Sequence, residues 1–215
     1  MRDKQKDAAQ MAIKRQRMLE VGFELFSQRG IDAVTMPEVA RTCGYGIATL
    51  YRYFDTKAAL VIAVGTWAWE QYLQAGRADL SNERIESMSA AEIFENYLDF
   101  FIDLYCNHKD LLRFNQFFNV YLQGEHTSQD QIAPYLGIIE RPRKRFHEIY
   151  RKATQDGTMR TDVSEEEMFA STLHIMLAVT TRYAIGLVYT PEHWVGAEEE
   201  LQLVKHLLIR EYVVA

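Results

Sequence analysis

Between positions 46 and 53 the chain reads Gly-Ile-Ala-Thr-Leu-Tyr-Arg-Tyr, residue types that suit reading a nucleic acid better than catalysing a reaction. On a short helix, Leu50 turns inward while Ile47, Ala48, Thr49 and Arg52 point outward and Tyr51 stands toward the rim. Small residues at the start, Gly46 and Ala48, allow close approach to base edges. A Thr methyl or an Ala can touch a thymine methyl, Arg can take guanine or phosphate, and Tyr and Thr hydroxyls bind phosphate oxygens. Lys57 adds an independent sign, because a cation at a helix start opposes the helix dipole, and a phosphate bound there reverses that penalty.

Signatures of catalysis are missing from the sequence: it holds no GxSxG, no HExxH, no P-loop and no EF-hand loop. Gly44-Tyr45-Gly46 starts like a dinucleotide fingerprint, yet it follows a helix and lacks the third glycine. The six His stand apart, and His174 reads as a core residue of an apolar helix. Cys43 and Cys106 form no CxxC and no zinc spacing, and Glu165-Glu166-Glu167 reads as favourable charge at a helix start. No catalytic residue, metal site or cofactor is expected, and an enzyme is not.

The net charge of −6 argues against non-specific coating of nucleic acid, but it is unevenly spread. Residues 1–57 hold 10 Lys and Arg against 7 Asp and Glu; the remainder holds 14 against 23. The N-terminal part is the one suited to phosphates. With 215 residues, 48% hydrophobic and 25% charged, the chain is long enough for two unequal domains. No apolar signal region follows the N-terminus, and the longest apolar stretch, Leu173 to Tyr189, is broken by His174 and Arg182. A cytoplasmic protein without membrane spans is expected.

Sustained period-2 alternation is lacking, so the fold class is all-α, with about nine helices. The first helix, about 10–28, puts Leu19, Gly22, Phe23 and Phe26 on one face and ends at Gly30. A second, short one opens at Thr35-Met36-Pro37-Glu38, where Thr35 caps and Glu38 reaches back to complete a capping box, and it stops at Gly44. A third covers Gly46 to about Tyr53, and a fourth runs from Lys57 to about Ala78 after the capping residues Asp55 and Thr56. A polar connection, Ala78 to Ser89, precedes helices near 90–107, 110–123, 128–156, 164–189 and 198–213. Two short helices joined by a Gly-containing turn under an amphipathic first helix make a helix-turn-helix, with the second entering a major groove. The expected division is a DNA-binding domain at 1–56 and a ligand-binding and dimerisation domain at 57–215.

The stretch from Thr35 to Leu60, TMPEVARTCGYGIATLYRYFDTKAAL, resembles the DNA-binding signature of the TetR family of bacterial repressors, most specifically in TLYRYF and the following Asp-Thr-Lys. The resemblance covers roughly the first 60 to 75 residues. It implies that Thr35, Tyr51 and Lys57 contact phosphates and that Ile47, Ala48, Thr49 and Arg52 contact bases or backbone. The family usually has Ser at the place of Gly46, Gly at that of Ala48 and a small aliphatic residue at that of Tyr45. It further implies a homodimer on a palindromic operator, released when a small apolar or aromatic effector binds a pocket in the C-terminal part.

Aromatic residues crowd the segment from Phe94 to Tyr121, most of them at core spacing. Phe101, Tyr105, Phe117, Phe118 and Tyr121 are the candidates to line an effector pocket. The run Arg141-Pro142-Arg143-Lys144-Arg145 reads as a solvated basic face on a proline-bent helix. Toward the C-terminus, Phe169, Leu173, Met176, Thr180 and Ala184 form one stripe and Leu201, Val204 and Leu208 another, suited to a two-fold four-helix bundle between chains or to burial within one. A rival reading keeps the DNA-binding head but makes the protein an adaptor or organiser without small-molecule control.

Overall fold

The computed structural model describes residues 4–75, 86–125 and 128–214, and among them the regular elements are helices, with one isolated antiparallel bridge between Met159 and Val213. The helices are α1 (Lys4–Arg29), α2 (Met36–Cys43), α3 (Ile47–Tyr53), α4 (Lys57–Ala75), α5 (Ala90–Asn107), α6 (Lys109–Gly124), α7 (Gln129–Asp156), α8 (Glu165–Ile185) and α9 (Ala197–Tyr212). The all-α expectation holds, and helix positions agree closely with the sequence reading. The expected end of α4 near Ala78 and the connection that follows, up to residue 85, lie outside the described residues.

Two compact units divide the chain, one made of residues 1–72 and 113–138, the other of 73–112 and 139–215. The expected boundary at 56/57 therefore marks the end of a motif, since Leu60, Val61 and Val64 of α4 lie in the same core as Leu50 of α3. In the first unit, Met18, Leu19, Phe26, Val39, Leu50, Phe114 and Phe118 are all buried. Fully burying such side chains contributes about 1.5–3 kcal/mol each. Helices α1 and α4 approach closely at Gly22, where a Cβ would come within 2.9 Å of Val64 Cγ2.

Local signals set the ends of the short helices. Thr35 caps α2 by accepting from the Glu38 N–H at 3.4 Å. The expected reciprocal bond does not form, because the Glu38 carboxylate turns to the Arg29 guanidinium instead. At the other end Gly44 has φ +78°, with its N–H donated to Arg41 O at 3.0 Å and the Tyr45 N–H to Ala40 O at 2.9 Å, a Schellman closure. Thr56 Oγ1 accepts from the Ala59 N–H at 3.0 Å and caps α4.

In the second unit α5, α8 and α9 pack on one another. Ser89 and Glu92 form a full capping box at the start of α5, with Glu92 accepting from the Ser89 N–H at 2.7 Å. Lys205 of α9, nearly buried, reaches Asp99 at 2.6 Å and Glu95 at 3.0 Å on α5. Helix α8 ends at Ile185, four residues before the expected end, because Gly186 takes φ +108° and breaks the ladder. Helix α1 starts six residues earlier than expected, because its first turns are polar and carry no apolar stripe.

No atom lies within 4 Å of where a Cβ at Gly44 would stand, so the only cost of a side chain there is the left-handed backbone. Gly44→Ala is expected to lose about 1–2 kcal/mol of stability in urea denaturation, and Gly44→Asn to lose less. Equal stability of all three proteins would refute this account of the turn.

Candidate nucleic-acid interface

Helix α3 is anchored by one deeply buried residue. Leu50 is 0% exposed and packs with Val39, Phe54 and Leu60. Around it, Ile47 is 38% and Tyr51 47% exposed, Gly46, Ala48 and Arg52 are exposed, and Thr49 is half-buried. A Cβ at Gly46 would meet nothing within 4 Å, so the backbone at the head of α3 is open.

The Arg52 guanidinium lies 5.9 Å from the centroid of the Tyr53 ring and makes no ion pair among the described residues. An aromatic ring under a guanidinium steadies its position while leaving all its donors unused. Thr35, at the exposed start of α2, spends its hydroxyl lone pair on the Glu38 N–H and keeps its own proton to donate.

Lys57 packs on an aromatic ring of its own unit. Its ammonium sits 5.6 Å from the centroid of the Tyr121 ring. Burial lowers its pKa, and the carboxylates of Asp32 and Glu125 pull in the opposite direction. The cation is therefore held by its own unit as well as being placed at a helix start.

Two further cations flank the motif. Lys14 Nζ lies 5.9 Å from the Tyr45 ring centroid, and the Arg15 guanidinium lies 5.6 Å from that of Phe54. The charge count of the first 57 residues includes both, but only the packing of α1 beside the turn shows that they stand next to aromatic residues flanking α3.

The residues expected to line a pocket divide between the two units, and much of the expected dimer stripe is buried. Phe117, Phe118 and Tyr121 belong to the first unit, where Phe118 packs on Tyr135 at 4.4 Å and Phe117 lies 3.7 Å from the Cβ position of Gly30. Phe101 and Tyr105 belong to the second, against Tyr97 at 5.5 Å and Tyr183 at 6.1 Å. Met176, Thr180, Ala184, Leu201 and Leu208 are buried inside the chain itself and are unavailable to a partner. Phe169 stacks on Phe146 at 5.5 Å, and Leu173 and Val204 are half-buried. The stripes are real, but they face α5 and each other; the outer faces of α8 and α9 show Ile175, Ile185, Leu203 and Leu207 instead.

The basic run on α7 is not uniformly solvated either. Arg143 and Lys144 are exposed, whereas Arg141 and Arg145 are half-buried, because one turn of helix carries them to the side that packs.

Comparison with known proteins agrees with this arrangement. Residues 18–64 match the family described as bacterial regulatory proteins, tetR family. An HTH-type transcriptional regulator of Staphylococcus aureus (strain MRSA252) is 28% identical over 99 residues, which are 46% of this chain and 51% of that protein. The chain thus matches about half the length of this curated relative. Among solved structures, a transcriptional regulator from Saccharomonospora viridis in complex with choline superposes with TM-score 0.73 at 17% identity, covering 95% of this chain and 100% of that one. The regulator FadR from Bacillus subtilis in complex with stearoyl-CoA gives TM-score 0.68 at 14% identity, covering 90% and 97%. These likenesses establish a shared fold. With a match that spans α1 from Met18, both short helices and the start of α4, the chain carries the N-terminal domain of the tetR family of bacterial regulatory proteins.

Proposed function

We propose that the chain is a ligand-responsive transcription regulator, acting as a repressor, that binds a palindromic operator as a homodimer in the cytoplasm and is released by a small effector. The observation that carries this reading is the division of α3 into one buried anchor, Leu50, and an exposed face of small, apolar and cationic residues. In the reading, Gly46 lets the head of the helix approach, and Ile47, Ala48, Thr49 and Arg52 meet base edges or adjoining backbone. Thr35, Tyr51 and Lys57 meet phosphates. The choline and stearoyl-CoA held by the two structural neighbours support effector control here, without identifying the effector.

A dimer follows from the need to place two copies of α3 about one helical turn of DNA apart. We assign the contact to the outer faces of α8 and α9, where Ile175 and Ile185 are 42% and 49% exposed and Leu203 and Leu207 are 58% and 53% exposed. Apolar residues so exposed at helical spacing suit an isologous helix pair.

Fluorescence anisotropy on DNA from upstream of the chain's own gene, against scrambled DNA over a salt series, tests the reading. Wild type is expected to prefer one palindromic site with a steep salt slope, and Arg52→Ala to lose about 1–3 kcal/mol of that affinity. Equal and weak binding to both DNAs, repeated in a selection over genomic fragments, would overturn DNA recognition.

Sedimentation tests the dimer separately. The double variant Leu203→Glu/Leu207→Glu is expected to run as a 25.0 kDa monomer with unchanged helicity, and a dimer that survives both charges would place the contact elsewhere.

A further inference from the structure

In the second unit a cleft of about 120 Å³ opens between Leu73, Tyr97, Phe100, Arg141, Pro142 and Arg145. Its apolar walls come from Leu73, Phe100 and Pro142. Two of its polar groups lack partners among the described residues. Tyr97 is only 4% exposed, and its buried hydroxyl has no hydrogen-bond partner. Arg145 is half-buried and makes neither a hydrogen bond nor an ion pair. Its neighbours on α7 behave differently: Arg143 is paired with Glu140 at 4.0 Å and Arg151 with Glu148 at 2.8 Å.

The two groups share an environment and a fixed geometry. The Tyr97 ring is held edge-on by Phe101 and Phe146, each at 5.5 Å between centroids, so its hydroxyl cannot swing out to water. Burial lowers the pKa of Arg145, and the neighbouring Tyr97 acts the other way. Burial likewise raises the phenol of Tyr97, which therefore stays protonated and able to donate. A guanidinium and a phenol O–H, both donors, leave the cleft short of an acceptor that carries negative charge.

We propose that this cleft binds a small organic carboxylate, an acid group on an aromatic ring or a short aliphatic body, which accepts hydrogen bonds from the Arg145 guanidinium and the Tyr97 hydroxyl. A planar, singly charged anion matches the planar fork of one arginine with one neutral donor beside it. The volume is well below the several hundred Å³ of pockets that enclose drug-sized ligands, which favours a single ring or short chain over a long acyl group. The assignment deepens the proposed function by naming the effector class, and rests on it for the regulatory role though not for binding itself.

Isothermal titration of the full chain with benzoate and hexanoate, beside benzamide, hexanol and inorganic phosphate, tests the proposal. The acids are expected to bind saturably and the neutral compounds and phosphate not to. Arg145→Gln is expected to weaken acid binding by about 10- to 100-fold and Tyr97→Phe by about tenfold, while Lys144→Gln leaves it unchanged. Tyr97→Phe removes only an unpartnered oxygen, so it keeps the test valid should Arg145→Gln unfold the unit. Neutral compounds or phosphate binding as well as the acids, no acid binding, or full acid affinity in both variants would each overturn it. Operator binding is measured first without acid. Failure at that step sinks the regulator reading and leaves the cleft to be judged by titration. Operator binding that a bound acid does not weaken overturns the effector role alone.

Discussion

Neither an eight-residue nor a seven-residue helix is stable by itself in water, since nucleation costs more than so few hydrogen bonds return. Helices α2 and α3 exist because their few apolar residues are buried against α1 and α4. That burial depends in turn on the close approach at Gly22 and Val64, where a larger residue would wedge the two long helices apart. The position of α3, and with it everything proposed about DNA, is set by packing one layer beneath it. Thr35 and Gly44 then trim the ends, so that the two short helices meet at a fixed angle without a long loop.

Much of this was legible in the sequence. The caps at Thr35 and Thr56, the stops at Gly30 and Gly44, and the face Leu19–Phe26 are local signals, and local signals predict local structure. Partner choice was harder to see. Glu38 could reach its own cap or another helix, and Arg29, nine residues away, won it. The stripe Met176–Thr180–Ala184 has the spacing of an interface, but spacing is the same whether the partner is α5 of the same chain or a second copy. The aromatic segment 94–121 was likewise one cluster in sequence, while its members divide between two cores.

Buried polar groups follow the same logic at higher stakes. Lys205 is nearly buried and satisfied by two carboxylates, which locks α9 to α5. Arg145 sat in a run of basic residues that looked uniformly solvated, and only the turn of α7 separates it from Arg143. No count of charges distinguishes a guanidinium facing water from one facing a phenol; the register of the helix against its neighbours does.

Resting α3 on Leu50, with Tyr53 half-buried beside it, has an evolutionary consequence. Most of the helix contributes little to the stability of the first unit, so its outward residues are free to change without first acquiring compensating mutations in the core. Descendants of such a chain can acquire new target sequences by point substitution at Ile47, Ala48, Thr49 or Arg52 while keeping the same folded head. Divergence in what is recognised is thereby decoupled from divergence in what folds.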